Sequence, residues 1–530
     1  MRKILERFDE LAEPNRDNAV AAWLERTAFA FLILMTLAAP HSIAATQIAW
    51  LIGMFLWVIR LAFKPRVRFK FTVLDAALWG LFGWSVISAA FSYDPPTSFD
   101  KLRTVSLFLI FYFVFHNVRN LRAAYFLAFV LIVSSMVNVA WTPVQKWLGR
   151  GVEIHGVDTN GPLGKAGLVE GDTLDRANGK KISTPDDAFT LIQQNDETTL
   201  EFYRGDFETD ARIHRADLLA AVDAQGRLGF ESWNVGKIIR ASGFYRHYVT
   251  YAETLQLIAS FVLGLFVAAF TFKRSENDTG EKFSGLKIPA WLVLLVFFGC
   301  MGVVLLMTIT RASQLGLAVS GLAILVAAGN RRLLLAAVIV AVPVMIAGFI
   351  YLQQQRHVGF FDAQDESTQY RQMMWRDGYR LWTSSPRNFV FGLGMDSIKS
   401  HWQEWEMFEG GRWPVSHFHS TPIQLLVERG FPALLLWLAI LAIYARTLWR
   451  GIRRQRLVAS PDWRALGILL GCLGGMIGFF TSGLVHYNLG DSVVAMIFFL
   501  LMGLGVRVAA LIRYGADDAA VAKAAVRLAA

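Results

Sequence analysis

Apolar runs long enough to cross a bilayer core of about 30 Å recur from one end of this 530-residue chain to the other. About twelve candidate spans stand out, at roughly 21–40, 43–63, 73–92, 104–118, 122–141, 249–272, 287–309, 312–329, 332–352, 423–446, 464–486 and 491–512. That pattern predicts an all-α polytopic membrane protein. Composition agrees: 54 % of residues are apolar, 13 % are aromatic and the mean hydropathy is +0.40, beyond what a soluble chain of this size carries.

The net charge of +10 suits a nucleic-acid partner in amount but not in placement. The basic residues sit in short loops between apolar runs, which is how charge sets membrane topology. With the N-terminus (Arg2, Lys3) in the cytoplasm, the inner loops are Lys64/Arg66/Arg68/Lys70, Arg119/Arg122, Lys273/Arg274/Lys282/Lys287, Arg331/Arg332 and Arg446/Arg450/Arg453/Arg454/Arg456. The short outer loops are acidic or neutral, as in Tyr93-Asp94-Pro95-Pro96. No nucleic-acid partner is expected. The first apolar run lacks a small-residue cleavage site and reads as a retained helix. Cys300 and Cys472 lie inside apolar runs and support neither a disulfide framework nor a metal site.

Five regions follow: helices one to five over 1–141, an outer insert over 142–232, helices six to nine over 233–352, a long outer loop over 353–422, and the last three helices with a cytoplasmic tail over 423–530. The insert has α+β character. Gly171-Asp172 and Asn178-Gly179 are turn dipeptides flanking an alternating strand. Ser183-Thr184-Pro185-Asp186 caps a helix over 186–193, and Thr199–Arg204 alternates as a second strand. The order Ala166-Gly167-Leu168, Gly171-Asp172, Asn178-Gly179-Lys180 resembles the core of bacterial PDZ domains. The resemblance implies a protein partner bound by strand addition, with the carboxylate-binding loop near Trp147–Val152. A docking module without a peptide ligand is an equal alternative.

The long outer loop is polar and aromatic. It carries Arg356, Arg371, Arg376, Arg380, Arg387 and Arg412, and ends in Ser416-His417-Phe418-His419-Ser420-Thr421-Pro422 just before an apolar helix. Imidazoles and guanidiniums are thus delivered to a membrane surface, where their substrate would be a lipid-linked anion. Three motifs near the outer face, the last of them in this loop, resemble the O-antigen ligase/polymerase family of membrane glycosyltransferases. Arg240-Ala241-Ser242-Gly243-Phe244 is similar to its Arg-x-x-Gly-Phe stretch. Thr310-Arg311-Ala312-Ser313 is similar to its Ser-Arg-Gly-Ala turn. The long loop resembles its third motif, with Tyr370-Arg371, Trp375, Pro386, Phe391-Gly392-Leu393-Gly394 and then His419-Ser420-x-x-Ile423-Gln424 leading to Glu428-x-Gly430.

That resemblance implies transfer of a glycan from undecaprenyl diphosphate to an acceptor hydroxyl, most simply of lipid A-core, outside the bacterial inner membrane. Membrane lipids, the carrier-linked donor and the acceptor are the implied partners, and no cofactor is implied. The residue chemistry fits. A departing diphosphate needs cations, and the guanidinium fork matches phosphate oxygens. Arg311, Arg371, Arg240, Arg246 and Arg376 are the candidates. An attacking hydroxyl gains from a base, and histidine titrates near neutral pH. His419 is the candidate base, with His401 and His417 read as structural or surface residues. His417 and His419 have no carboxylate at ligand spacing, so no metal is expected. Glu253 and Gln256 read as a polar bundle contact, and His486–Asp491 as a polar turn. A polymerase or protein glycosylase of the same family is the near alternative. A non-catalytic scaffold or transporter is the distant one, and predicts polar residues paired within the spans.

Overall fold

A computed structural model describes residues 2–67, 69–205, 207–271, 289–336, 366–411, 417–458 and 461–529, with isolated positions between 339 and 350. Two compact units emerge. One comprises Met1–Asn138, Val249–Leu306 and Thr310–Ala530, and the other Val139–Tyr248 with Met307–Ile309.

The first unit is helical. Among the described residues, nine of the chain's helices are long and apolar enough to cross a membrane. They include Tyr248–Thr271, Arg311–Ala328, Thr421–Leu457, Trp463–Gly483 and Ser492–Arg513. Three expected spans differ. That over 73–92 is a shorter helix, Asp75–Ala90. That over 104–118 is split into Leu102–Val105, a tight 3₁₀ turn at Ser106–Phe108 and Leu109–Asn117. That over 332–352 falls largely outside the described residues, as do the loop at 272–288, Arg68, Arg356 and Arg412.

This unit has two chemically distinct ends. At one, arginines are held by carboxylates and backbone carbonyls. The buried Glu25 carboxylate takes Arg60 at 2.6 Å and Arg119 at 2.8 Å. Arg507 donates to the carbonyls of Val118 and Arg119, and Arg456 to that of Ala327. At the other end, serines close the contacts. Ser88 Oγ donates to the carbonyls of Phe391 and Glu428, and Thr250 Oγ1 donates to Asp491. An 18-residue helix is about 27 Å long. Arg311, first residue of Arg311–Ala328, therefore lies at the serine end, because Gly329 beyond the helix's C-terminus meets Arg456.

The Thr421–Leu457 helix is broken at Gly430, whose φ of 75° and ψ of 179° are non-helical. Only glycine suits that backbone, and an added Cβ would stand 1.9 Å from the Val390 carbonyl oxygen. The break frees the carbonyls of Val427 and Glu428. Leu393 N–H donates to the first at 2.8 Å, and Gly394 N–H to the second at 2.9 Å. Phe391 stacks on Trp84 and Phe91. The Phe391–Gly394 and Glu428–Gly430 motifs, more than thirty positions apart, are thus one structural feature.

The second unit contains one antiparallel sheet of order β5-β4-β2-β1-β6, with β3 paired to β2. The strands are β1 (Arg150–His155), β2 (Thr173–Ala177), β3 (Lys180–Lys181), β4 (Glu197–Arg204), β5 (Phe207–His214) and β6 (Ser232–Gly236). Asn178-Gly179, both at positive φ, turn β2 into β3 as the dipeptide predicts. Thr184 caps Pro185–Gln193 through a full capping box with Asp187. Val152, Ile154, Leu163, Leu174, Leu200 and Phe202 belong to a core closed within this unit. Residues 149–237 made alone should therefore unfold cooperatively, read by circular dichroism. A featureless melt would contradict a self-contained core.

The Trp147–Val152 segment, expected to hold the carboxylate-binding loop, runs from the end of the Leu121–Leu148 helix into β1. β1 is paired on both sides, by β2 and β6, so no strand can add to it. The sheet's edges are β5 and β6. The segment leading into β6 is a short helix, Ala224–Leu228, capped by left-handed Gly229. The amides of Gly229 and Phe230 both donate to the Gln225 carbonyl. Position before a strand suggested Trp147–Val152, but strand order decides which edge is open.

Candidate active site

His419 heads the Thr421–Leu457 helix in a constrained backbone. Its φ is +46°, the left-handed region that non-glycine residues seldom occupy. Neighbours on both sides hold it there. Phe418 N–H donates to Gln424 Oε1 at 2.8 Å, and Trp375 Nε1 donates to the Phe418 carbonyl at 2.9 Å. The Phe418 ring is fully buried against Gly378, where a Cβ would come within 2.7 Å of it. Ser420 caps the helix, and Thr421 N–H donates to the His486 carbonyl at 3.1 Å. Strain at a residue clamped from both sides is the mark of a functional position.

Arg371 and Trp375 share the Glu366–Trp382 helix four residues apart, so they share a face, as the spacing predicts. Trp375 grips the residue before His419, and the Arg371 guanidinium is close enough to disfavour a charge on His419. The His417 and His419 rings lie 4.1 Å apart, centroid to centroid.

Both imidazoles are held neutral. Burial pushes His419 down to about 3, with repulsion from His417, Arg371 and His486 adding to it. Burial likewise pushes His417 down to about 4, assisted by Lys399 and His486 and opposed by Asp396. An ion-pair cluster stands beside them. Burial would raise Asp396, but Lys101 at 2.6 Å and Lys399 at 3.0 Å outweigh it and hold the carboxylate low.

Of the expected site residues, His419, Arg371 and Arg311 lie at the serine end of the helical unit, and Arg371 is close enough to His419 to disfavour its charge. Arg376 is exposed and lies 3.7 Å from Asp377. Arg240 and Arg246 belong to the other unit. Arg240 is buried over the Tyr248 ring, 4.5 Å from its centroid, and Arg246 pairs with Glu201 and Glu208 at 2.8 and 2.6 Å. His401 pairs with Glu404 at 2.8 Å on the surface, whereas His417 is a partner of His419 instead of a peripheral residue. Among the described residues no group of three or more His, Cys, Asp or Glu is arranged to hold a metal ion.

Sequence reasoning passed over Lys101, Asp396 and Lys399, whose positions in polar loops carry no signal. Glu253, read as a polar bundle contact, and His486, read as part of a polar turn, are both so, and they meet as a buried pair, Nδ1 to Oε1 3.0 Å. A carboxylate inside an apolar span was the available signal.

Residues 294–438 match the O-antigen ligase family model, a stretch holding Arg311, Arg371, His417, His419 and Glu428. Residues 153–204 match a PDZ domain model, spanning most of β1 through β4. No curated protein matches the chain. The chain is a multi-pass membrane protein in which one stretch matches the O-antigen ligase family model and another matches a PDZ domain model.

Proposed function

We propose that this chain moves a glycan from undecaprenyl diphosphate to an acceptor hydroxyl, most simply that of lipid A-core, at the outer face of the bacterial inner membrane. The observation that carries the reading is the buried, neutral His419 beside the Arg371 guanidinium, inside the O-antigen ligase domain. A neutral imidazole is ready to take a proton, and an adjacent guanidinium is ready for a diphosphate. Arg371 and Arg311, both in the helical unit, hold the leaving diphosphate. His419 draws the proton from the acceptor hydroxyl as it attacks the anomeric carbon, which inverts that centre. The guanidiniums take the role that a divalent ion plays in nucleotide-sugar enzymes. The PDZ unit recruits a protein partner and stays outside the chemistry.

Surface-glycan profiling in a deletion strain tests this function. Loss of long chains with polymer retained on carrier lipid supports a ligase. Accumulation of single-repeat products identifies a polymerase instead. Unchanged glycans contradict both and leave a scaffold or transporter.

Sidedness has its own test. Charge asymmetry of the short loops puts Asn195 of the insert and Glu409 of the long loop outside the cytoplasm. Single cysteines at those positions, in a background lacking Cys300 and Cys472, should react with an impermeant reagent in cells with a permeabilised outer membrane. Protection of either position defeats the topology.

A further inference from the structure

Glu253 is 2 % exposed and lies in the Tyr248–Thr271 helix, one of the apolar spans. A carboxylate placed there is costly unless it is paired or used. Its partner comes from far along the chain: His486 Nδ1 lies 3.0 Å from Glu253 Oε1, and His486 is itself 8 % exposed. The pair adjoins the candidate active site. The His486 carbonyl receives both the N–H and the Oγ1 of Thr421, two residues after His419. The His486 side chain is near enough to disfavour charge on both His417 and His419.

This arrangement answers a problem in the reaction. His419, buried among an imidazole and a guanidinium, holds a proton poorly. A proton taken from an acceptor hydroxyl therefore needs somewhere to go. With Nδ1 committed to Glu253, His486 presents Nε2 for exchange, and the buried carboxylate offsets the imidazolium charge.

We propose that the Glu253–His486 pair is where the acceptor's proton comes to rest. The proposal rests on the glycosyl-transfer reading. The acceptor oxygen bonds to the anomeric carbon, and the bond from that carbon to the diphosphate oxygen breaks with its electron pair. The hydroxyl proton passes to His419 and then to His486, and the charge of the imidazolium is balanced by Glu253. His419 returns to neutrality, and the proton leaves His486 for solvent once the product has gone. Glu253 is thus a positioning residue acting through His486. The charged and titratable groups facing His486 and its partner are Glu253, Asp491, His417 and His419, with Arg371 beyond His419.

The test uses the full-length chain in nanodiscs, with its own carrier-linked glycan as donor, and reads kcat and donor KM from pH 5 to 9. Glu253→Gln keeps the shape and a hydrogen bond but removes the charge. It should lower kcat by about 10–100-fold, the usual effect of losing a carboxylate that orients an imidazole. It should leave donor KM unchanged and move the acid limb of kcat to lower pH, because the imidazolium loses its counter-charge. Glu253→Asp should recover part of the rate. His486→Gln should be at least as slow, and it keeps the backbone carbonyl that anchors Thr421. An unchanged kcat and acid limb in Glu253→Gln, in a wild type that transfers glycan, overturns the proposal alone. So does a variant that loses only thermal stability or donor affinity. A wild type inactive on the lipid-linked glycan overturns the glycosyl-transfer reading, and this proposal with it.

Discussion

His419→Ala should lower glycan transfer by about 10²–10⁴-fold, the range a general base contributes. Folding should survive, because the contacts that shape this segment come from its neighbours: Trp375 on the Phe418 carbonyl, Gln424 on the Phe418 amide and the Ser420 cap. Donor binding should change little, since His419 is neutral and the proposed mechanism gives the diphosphate to guanidiniums. His417→Ala should cost much less, because that mechanism gives the hydroxyl's proton to His419. Near-wild-type transfer by His419→Ala at neutral pH removes it as the base. The substitution also has a signature in stability. In the unfolded chain an imidazole takes up its proton near pH 6.5. In the folded chain His417 and His419 do so only at about 4 and about 3. The unfolded state therefore binds more protons between those values. The contribution to stability is full above pH 6.5 and is lost as pH falls toward 3. Thermal melts should show the wild type losing more midpoint between pH 7 and 4.5 than His419→Ala does. Equal losses would contradict the buried neutral pair.

Arg371→Ala should weaken donor binding and turnover together, by about 10²–10³-fold in kcat/KM, comparable to removing one donor from an oxyanion site. Lysine should restore only part, because it supplies the charge without the two-pronged fork. Arg311→Ala should behave alike, since the residue opens its helix at the same end of the unit. A chelator should leave the purified enzyme active. Strict dependence on a divalent ion would reassign the phosphate-binding role, and full rescue by lysine would argue for simple charge attraction.

Local features of the fold were legible in the sequence because neighbouring residues dictate them. The Thr184 cap, the Asn178-Gly179 turn and the shared face of Arg371 and Trp375 all depend on spacings of four residues or fewer. The membrane spans were legible for a similar reason, apart from that over 73–92, which is a shorter helix, and that over 104–118, which is split. Contacts set by tertiary placement were not legible. Asp396 draws Lys101 from nearly three hundred positions away, and Glu253 meets His486 across 233. The edge of the PDZ sheet belongs to the same class, because strand order, not local pattern, leaves β6 at the margin.

The break at Gly430 bears on how the protein meets bilayers of different thickness. It divides one long helix into a short N-terminal piece, which carries the cap behind His419, and a longer piece after Gly430 that is apolar enough to cross a membrane. The N-terminal piece is fastened to the Leu393–Gly394 backbone through the carbonyls of Val427 and Glu428. A thinner or thicker membrane is met mainly by tilt of spanning helices, at a cost of a fraction of a kcal/mol per ångström. With the helix interrupted, such tilt acts on the residues after Gly430 and is not levered into the histidines. Reconstitution in lipids of shorter or longer acyl chains should then alter transfer little, and the site keeps its geometry wherever along the envelope the protein happens to sit.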